Sequence, residues 1–119
     1  AVFVDRRTDA VKLIRENLAL TRLEDGAQVA CGDSMAYLNA LREKFDLIFL
    51  DPPYADDLLE RAVAHIARFD ILAPDGIMIA ESPAEKELPK LSAPYRVARE
   101  YHYGRIKVTL YRRDGEETT

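Results

Sequence analysis

The sequence predicts an α/β fold with a mostly parallel sheet and an antiparallel hairpin at its end, and three observations predict it. Strand-like and helix-like segments alternate from residue 1 to residue 81. A fully apolar run, Leu47-Ile48-Phe49-Leu50, runs straight into Asp51 and two prolines. After Pro94 the helical period gives way to alternation on both sides of Gly104.

The elements follow in order. "AVFV" (1–4) is a short strand ending at Asp5, and Thr8 is the expected N-cap of a helix whose apolar residues Val11, Ile14 and Leu18 recur at helical spacing. A second strand is expected near 28–31, with Ser34 capping a helix that carries Ala36, Tyr37, Leu38 and Leu41. The run 47–50 reads as a strand buried on both faces, as parallel strands are, and its prolines end it because they fix φ and lack an N–H. Asp57 and Glu60 have capping-box spacing ahead of a stripe of Leu59, Ala62, Val63, Ile66 and Phe69. A fourth strand is expected at 77–81. In the hairpin, Tyr95, Val97, Arg99 and Tyr101 alternate with Arg96, Ala98 and Glu100, and Ile106, Val108 and Leu110 alternate with Lys107, Thr109 and Tyr111, so one face is expected to be the wetter. Residues 1–113 form one domain and 114–119 a polar tail.

Bulk composition narrows the function classes. At 119 residues and 48% hydrophobic content the chain can bury one core. No segment approaches the roughly 20 apolar residues of a membrane span, and no secretory signal opens it, which points to the cytoplasm. One cysteine, Cys31, excludes an internal disulfide and a cysteine metal cluster, and it is expected to pack as a small apolar residue. A net charge of −4 is awkward for gripping nucleic acid, so any such grip must be local or lie outside this chain. The last quarter, with Arg96, Arg99, Arg105, Lys107, Arg112 and Arg113, is locally basic, through phosphate contacts or merely a solvated face. His65 reads as a packed or half-exposed helix residue, and His102 lies beside Tyr101 and Tyr103 in "EYHYGR", a stretch that could touch nucleic acid but reads better as an ordinary hairpin corner.

Three acids, Asp5, Asp33 and Asp51, close successive strands, and right-handed crossovers would bring these ends to one edge of a sheet. An acid after the second strand of such a unit suits the two hydroxyls of a ribose, and Asp33 with the N–H groups that follow could read a base edge. The competing reading is that both acids simply end strands and begin turns.

The tetrapeptide Asp51-Pro52-Pro53-Tyr54 is more specific. It resembles the Asp/Asn-Pro-Pro-Tyr/Phe motif of amino-methyltransferases. With "VFVDRRTDAVKLIRENL", "GDSMAYL", "FDLIFLDPPY" and "YGRIKVTLYRR", nearly the whole chain resembles the bacterial 16S ribosomal RNA guanine-N2 methyltransferase family. That resemblance implies a Rossmann-like fold, S-adenosylmethionine as cofactor and small-subunit ribosomal RNA as partner. It implies catalytic roles for Asp51, Pro52, Pro53 and Tyr54, and cofactor contacts from Asp5, Arg6, Asp33, Ser34 and Asp51. A DNA adenine-N6 methyltransferase uses the same tetrapeptide, and a non-catalytic Rossmann-like module would retain it without activity.

The family also has a first strand and a glycine-rich loop that cradles the methionine end of the cofactor, neither of which is in this sequence. The chain is therefore expected to be the C-terminal part of the enzyme, inactive alone, its sheet completed by an N-terminal segment or a second chain between the strands ending at Asp5 and Asp51.

Overall fold

The computed structural model describes residues 1–41, 43–51 and 57–114. They form two compact units, Ala1–Leu41 and Arg42–Thr119.

In the first unit β1 (Val2–Asp5) pairs in parallel with β2 (Gln28–Cys31), from Val2 opposite Gln28 to Asp5 opposite Cys31. The crossover is α1 (Thr8–Thr21), which packs on both strands and buries Val11. Its N-cap is Arg7, with no side-chain cap, so the Thr8 assignment is corrected by one residue. The short α2 (Ser34–Ala40) follows β2 and is capped by Asp33, whose carboxylate accepts from the Met35 N–H at 3.0 Å, so Ser34 is not the cap. An Asp at this position meets an N–H two residues on more readily than it continues a helix.

The second unit holds β3 (Phe45–Leu50), α3 (Leu58–Arg68), β4 (Leu72–Pro83), β5 (Tyr95–Tyr103) and β6 (Ile106–Arg113). Its sheet runs β3-β4-β6-β5, with β3 parallel to β4 and the other two pairs antiparallel. α3 packs on β4 and buries Leu59, Ala62, Val63 and Ile66. Phe69 leaves this stripe, 59% exposed beside His65, and Asp57 caps α3 without a side-chain bond, so the expected capping box does not form. β4 is longer than expected. Within it Gly76 has no room for a Cβ, which would meet the Ala73 carbonyl at 2.7 Å.

Two expectations about sheet faces are overturned. β3 is an edge strand in this sheet and is not buried on both faces: Leu47 and Phe49 are 63% and 60% exposed. They share their face with Ile77 and Ile79, while Ile48 and Leu50 share the opposite one with the fully buried Met78 and Ala80. The hairpin's wetter-looking face is the covered one. Lys107, Thr109, Tyr111 and Arg113 on β6 are buried, and Ile106, Val108 and Leu110 lie on the more open side. Three of these four find partners in the connection before β5 and at the end of α3, while the buried Thr109 hydroxyl has none among the described residues: Lys107 Nζ donates to the Lys86 carbonyl at 2.6 Å, and the Tyr111 hydroxyl to the Pro89 carbonyl at 3.1 Å. Arg113 makes a bidentate bond to Asp70, at 2.6 and 2.9 Å. Burial of polar side chains that are bonded in this way is tolerated, which a polar/apolar pattern cannot anticipate.

Candidate functional site

In the first unit, Asp5 and Asp33 stand at the carboxyl ends of neighbouring parallel strands. The Gly32 N–H donates to the Asp5 carbonyl at 2.9 Å, which carries the pairing to the start of the turn that presents Asp33. Asp5 Oδ1 accepts the Arg7 N–H at 2.8 Å, and Asp33 Oδ1 accepts from Met35. Each acid therefore does the turn-forming job of the simpler reading with one oxygen. A carboxylate offers about four lone-pair sites, so each retains acceptor capacity for a further polar ligand. Two such acceptors at adjacent strand ends fit the hydroxyls and base edge of a nucleoside. Arg6 is exposed in the bend after β1, and its carbonyl accepts from the Cys31 thiol at 3.7 Å. Cys31 itself is exposed, correcting its expected packing. Ser34 is half-buried at the first position of α2. The cavity lined by Ala1, Phe3, Leu18 and Leu23 lies toward the opposite ends of these strands and belongs to neither acid.

In the second unit, Asp51 follows the last residue of β3, one position beyond the Leu50–Ala80 pair. Burial raises its affinity for a proton, and the Glu81 carboxylate of the neighbouring strand raises it further. Pro52, Pro53 and Tyr54 lie outside the described residues. Glu81 went unnoticed in the sequence, where nothing distinguishes it from any strand-ending acid. Only the β3–β4 register brings it beside Asp51.

A distinct cluster lies around Asp70. Its carboxylate accepts from Arg113, from Lys44 Nζ at 2.8 Å and from the Tyr95 hydroxyl at 2.7 Å. The Arg113 guanidinium, with help from Lys44 and Tyr95, holds this carboxyl well below the usual carboxylate range. The Tyr95 phenol is pushed up to about 12 by burial and by Asp70. These bonds fasten the end of α3 to β5 and β6, a structural role. Among the described residues no cluster of His, Cys, Asp and Glu is arranged to hold a metal ion.

Comparison with known proteins gives this geometry its context. A family model described as "Conserved hypothetical protein 95" matches residues 1–112. Among curated relatives, "Putative rRNA methyltransferase YlbH" of Bacillus subtilis is 33% identical over 117 residues, covering 96% of this chain and 64% of its own length. The "Ribosomal RNA small subunit methyltransferase D" of Escherichia coli K12 is 29% identical over 101 residues, covering 85% of this chain and 50% of its own. Among solved structures, a conserved hypothetical protein of Streptococcus pyogenes superposes with a TM-score of 0.87 at 29% identity, covering 99% of this chain and 74% of that one. The chain thus spans between half and two thirds of the length of these two curated relatives.

Proposed function

The chain belongs to the Conserved hypothetical protein 95 family, and from that premise we propose that the complete protein methylates the exocyclic N2 of a guanine in small-subunit ribosomal RNA, using S-adenosylmethionine. The observation that carries this reading is Asp51, a carboxylate delivered by a parallel strand at its carboxyl end, directly before Pro52-Pro53-Tyr54. An exocyclic amine is a weak nucleophile because its lone pair is delocalised into the ring. The Asp51 carboxylate and the Pro52 carbonyl accept its two N–H bonds, localise the lone pair and compensate the positive charge that develops on nitrogen. Pro53, whose ring fixes φ, helps to hold the Pro52 carbonyl still, and Tyr54 stacks on a base taken out of its helix.

Asp5 and Asp33 hold the ribose and base of the cofactor, with the flanking backbone of Arg6 and Ser34. The spare acceptor capacity of both acids supports this assignment. The cofactor supplies an electrophilic methyl group when bound. Its methionine end is held by residues outside these 119, supplied by a further segment or a second chain. The chain's coverage of only half to two thirds of its curated relatives supports that addition. The name of the Escherichia coli relative supports small-subunit RNA as substrate, as free RNA or within the assembled subunit, and ribosomal RNA as partner argues for the cytoplasm.

The test is product identification. The complete protein, given labelled S-adenosylmethionine with small ribosomal subunits or with DNA, should place label in N2-methylguanosine after digestion of the RNA to nucleosides. Label in N6-methyladenine of DNA, or no label in either polymer, would overturn the assignment.

A further inference from the structure

The β5–β6 hairpin carries features that methyl transfer does not use. A register shift between Val97 and Arg99 moves the outer half of β5 out of phase with its inner half. Tyr95, opposite Arg113, faces the covered side, whereas Arg99, Tyr101 and Tyr103 pair with Leu110, Val108 and Ile106 on the open side. Tyr101 and Tyr103 are 36% and 65% exposed, with ring centroids 6.5 Å apart and planes within 22° of one another. Arg99 donates to the Tyr101 hydroxyl at 3.2 Å, which holds a cation at the rim of the ring pair.

Charge is concentrated in the same place. Residues 95–113 hold six of the chain's 17 lysines and arginines but only one of its 21 acids, Glu100. Glu100 pairs with Thr109 and so belongs to the covered side, and its carboxylate approaches His102 at 3.8 Å. Arg96 is matched by Asp114 at 3.0 Å, while Arg99 and Arg105 have no carboxylate partner among the described residues. A flat aromatic pair on a β-sheet, flanked by unmatched guanidinium groups in an otherwise acidic chain, is the chemistry that stacks unpaired bases and meets their phosphates. A duplex hides its base faces and would leave the rings unused.

The register also relates this patch to Asp51. Glu81 pairs with Val108, and Val108 with Tyr101, so a row one residue past the Leu50–Ala80 pair leads from Asp51 across β4 and β6 to Tyr101. Three strand spacings make that about 14 Å. We propose that the open face of the β5–β6 hairpin, through Tyr101, Tyr103, Arg99 and Arg105, binds single-stranded RNA flanking the nucleotide presented to Asp51. This inference rests on the RNA reading above and adds to it the surface that grips the substrate.

Fluorescence anisotropy on the complete protein tests it, with a short labelled single-stranded RNA and the same sequence as a duplex. The parent should prefer the single strand. The double substitution Tyr101→Ala, Tyr103→Ala should weaken that binding about tenfold or more, and Tyr101→Phe, Tyr103→Phe should retain it, because stacking needs the ring and not the hydroxyl. Arg99→Gln should flatten the salt dependence by about 0.7 in log–log slope, the share of one phosphate contact. Calorimetric S-adenosylmethionine affinity, expected to be equal in all variants, separates a lost contact from a lost fold. A parent that binds RNA as tightly as its Tyr→Ala variant would overturn the hairpin assignment alone, and a hairpin devoted to a protein partner would give that result. A parent that binds no RNA would overturn the RNA reading and this inference together.

Discussion

Asp51 and Glu81 come together because β3 and β4 are parallel and in register at their ends. A second carboxylate beside the first disfavours its ionisation, and burial acts in the same direction and more strongly. If the ionised form of Asp51 accepts the substrate amine, removing the Glu81 charge should ease ionisation. The acid limb of the kcat/KM profile in Glu81→Gln is therefore expected at lower pH than in the parent, and a pH–rate series on the complete protein checks it. A coincident limb would mean that Glu81 does not act on Asp51. Asp5 is the corresponding residue in the first unit. Asp5→Ala should weaken S-adenosylmethionine binding about tenfold or more, measured calorimetrically, since a charged acceptor is worth about 1.5–3 kcal/mol per bond.

The elements were largely legible. Each predicted strand exists, and Gly104, with φ of 59°, begins the two-residue turn between β5 and β6, as a glycine at the first turn position allows. What the sequence concealed is which face of each strand is covered. The period-2 pattern of β6 puts Ile106, Val108 and Leu110 inside, but Lys107, Tyr111 and Arg113 are the buried set, because carbonyls of Lys86 and Pro89 and the carboxylate of Asp70 satisfy them. The shift between Val97 and Arg99 was equally hidden, since the letters of β5 alternate straight through it. Caps misled by one residue for a related reason: Asp33 and Ser34 are both good caps, and only the bond to Met35 decides.

Asp70 is where these element-level contacts converge, and it yields a stability prediction. Asp70→Asn should destabilise the protein by about 1–3 kcal/mol in urea at neutral pH, because Arg113, only 8% exposed, loses its counter-charge, while the 40% exposure of Asp70 keeps the loss below that of a fully buried pair. Since folding depresses the Asp70 pKa, its contribution is complete above the ordinary aspartate value near 4 and is lost as pH falls through the folded value. Parent and variant should therefore differ constantly from neutral pH down to about 5 and converge below about 4. A difference that grew with acidity would contradict the ion pair as its cause.

At the scale of the whole molecule, resemblance and physics agree on a methyltransferase-like α/β chain, and the family match across residues 1–112 extends that agreement over almost all of it. The candidate site was legible where a motif is local. Asp51 and its neighbours stand out because four consecutive residues carry them, and Asp5 and Asp33 because each ends a strand. Glu81 was not singled out, and the tyrosines of "EYHYGR" read better as a hairpin corner than as a nucleic-acid contact, because the placement of both lies in registers between strands. On the proposed function Asp51 holds the substrate amine, and its own contact to the cofactor adds little to cofactor affinity. Tritiated-methyl transfer to small-subunit RNA by the complete protein and by Asp51→Ala, with S-adenosylmethionine affinity measured on both, tests it most directly. The Asp51→Ala rate should be lower by about a hundredfold or more with cofactor affinity largely retained, and equal rates for variant and parent would remove Asp51 from the chemistry.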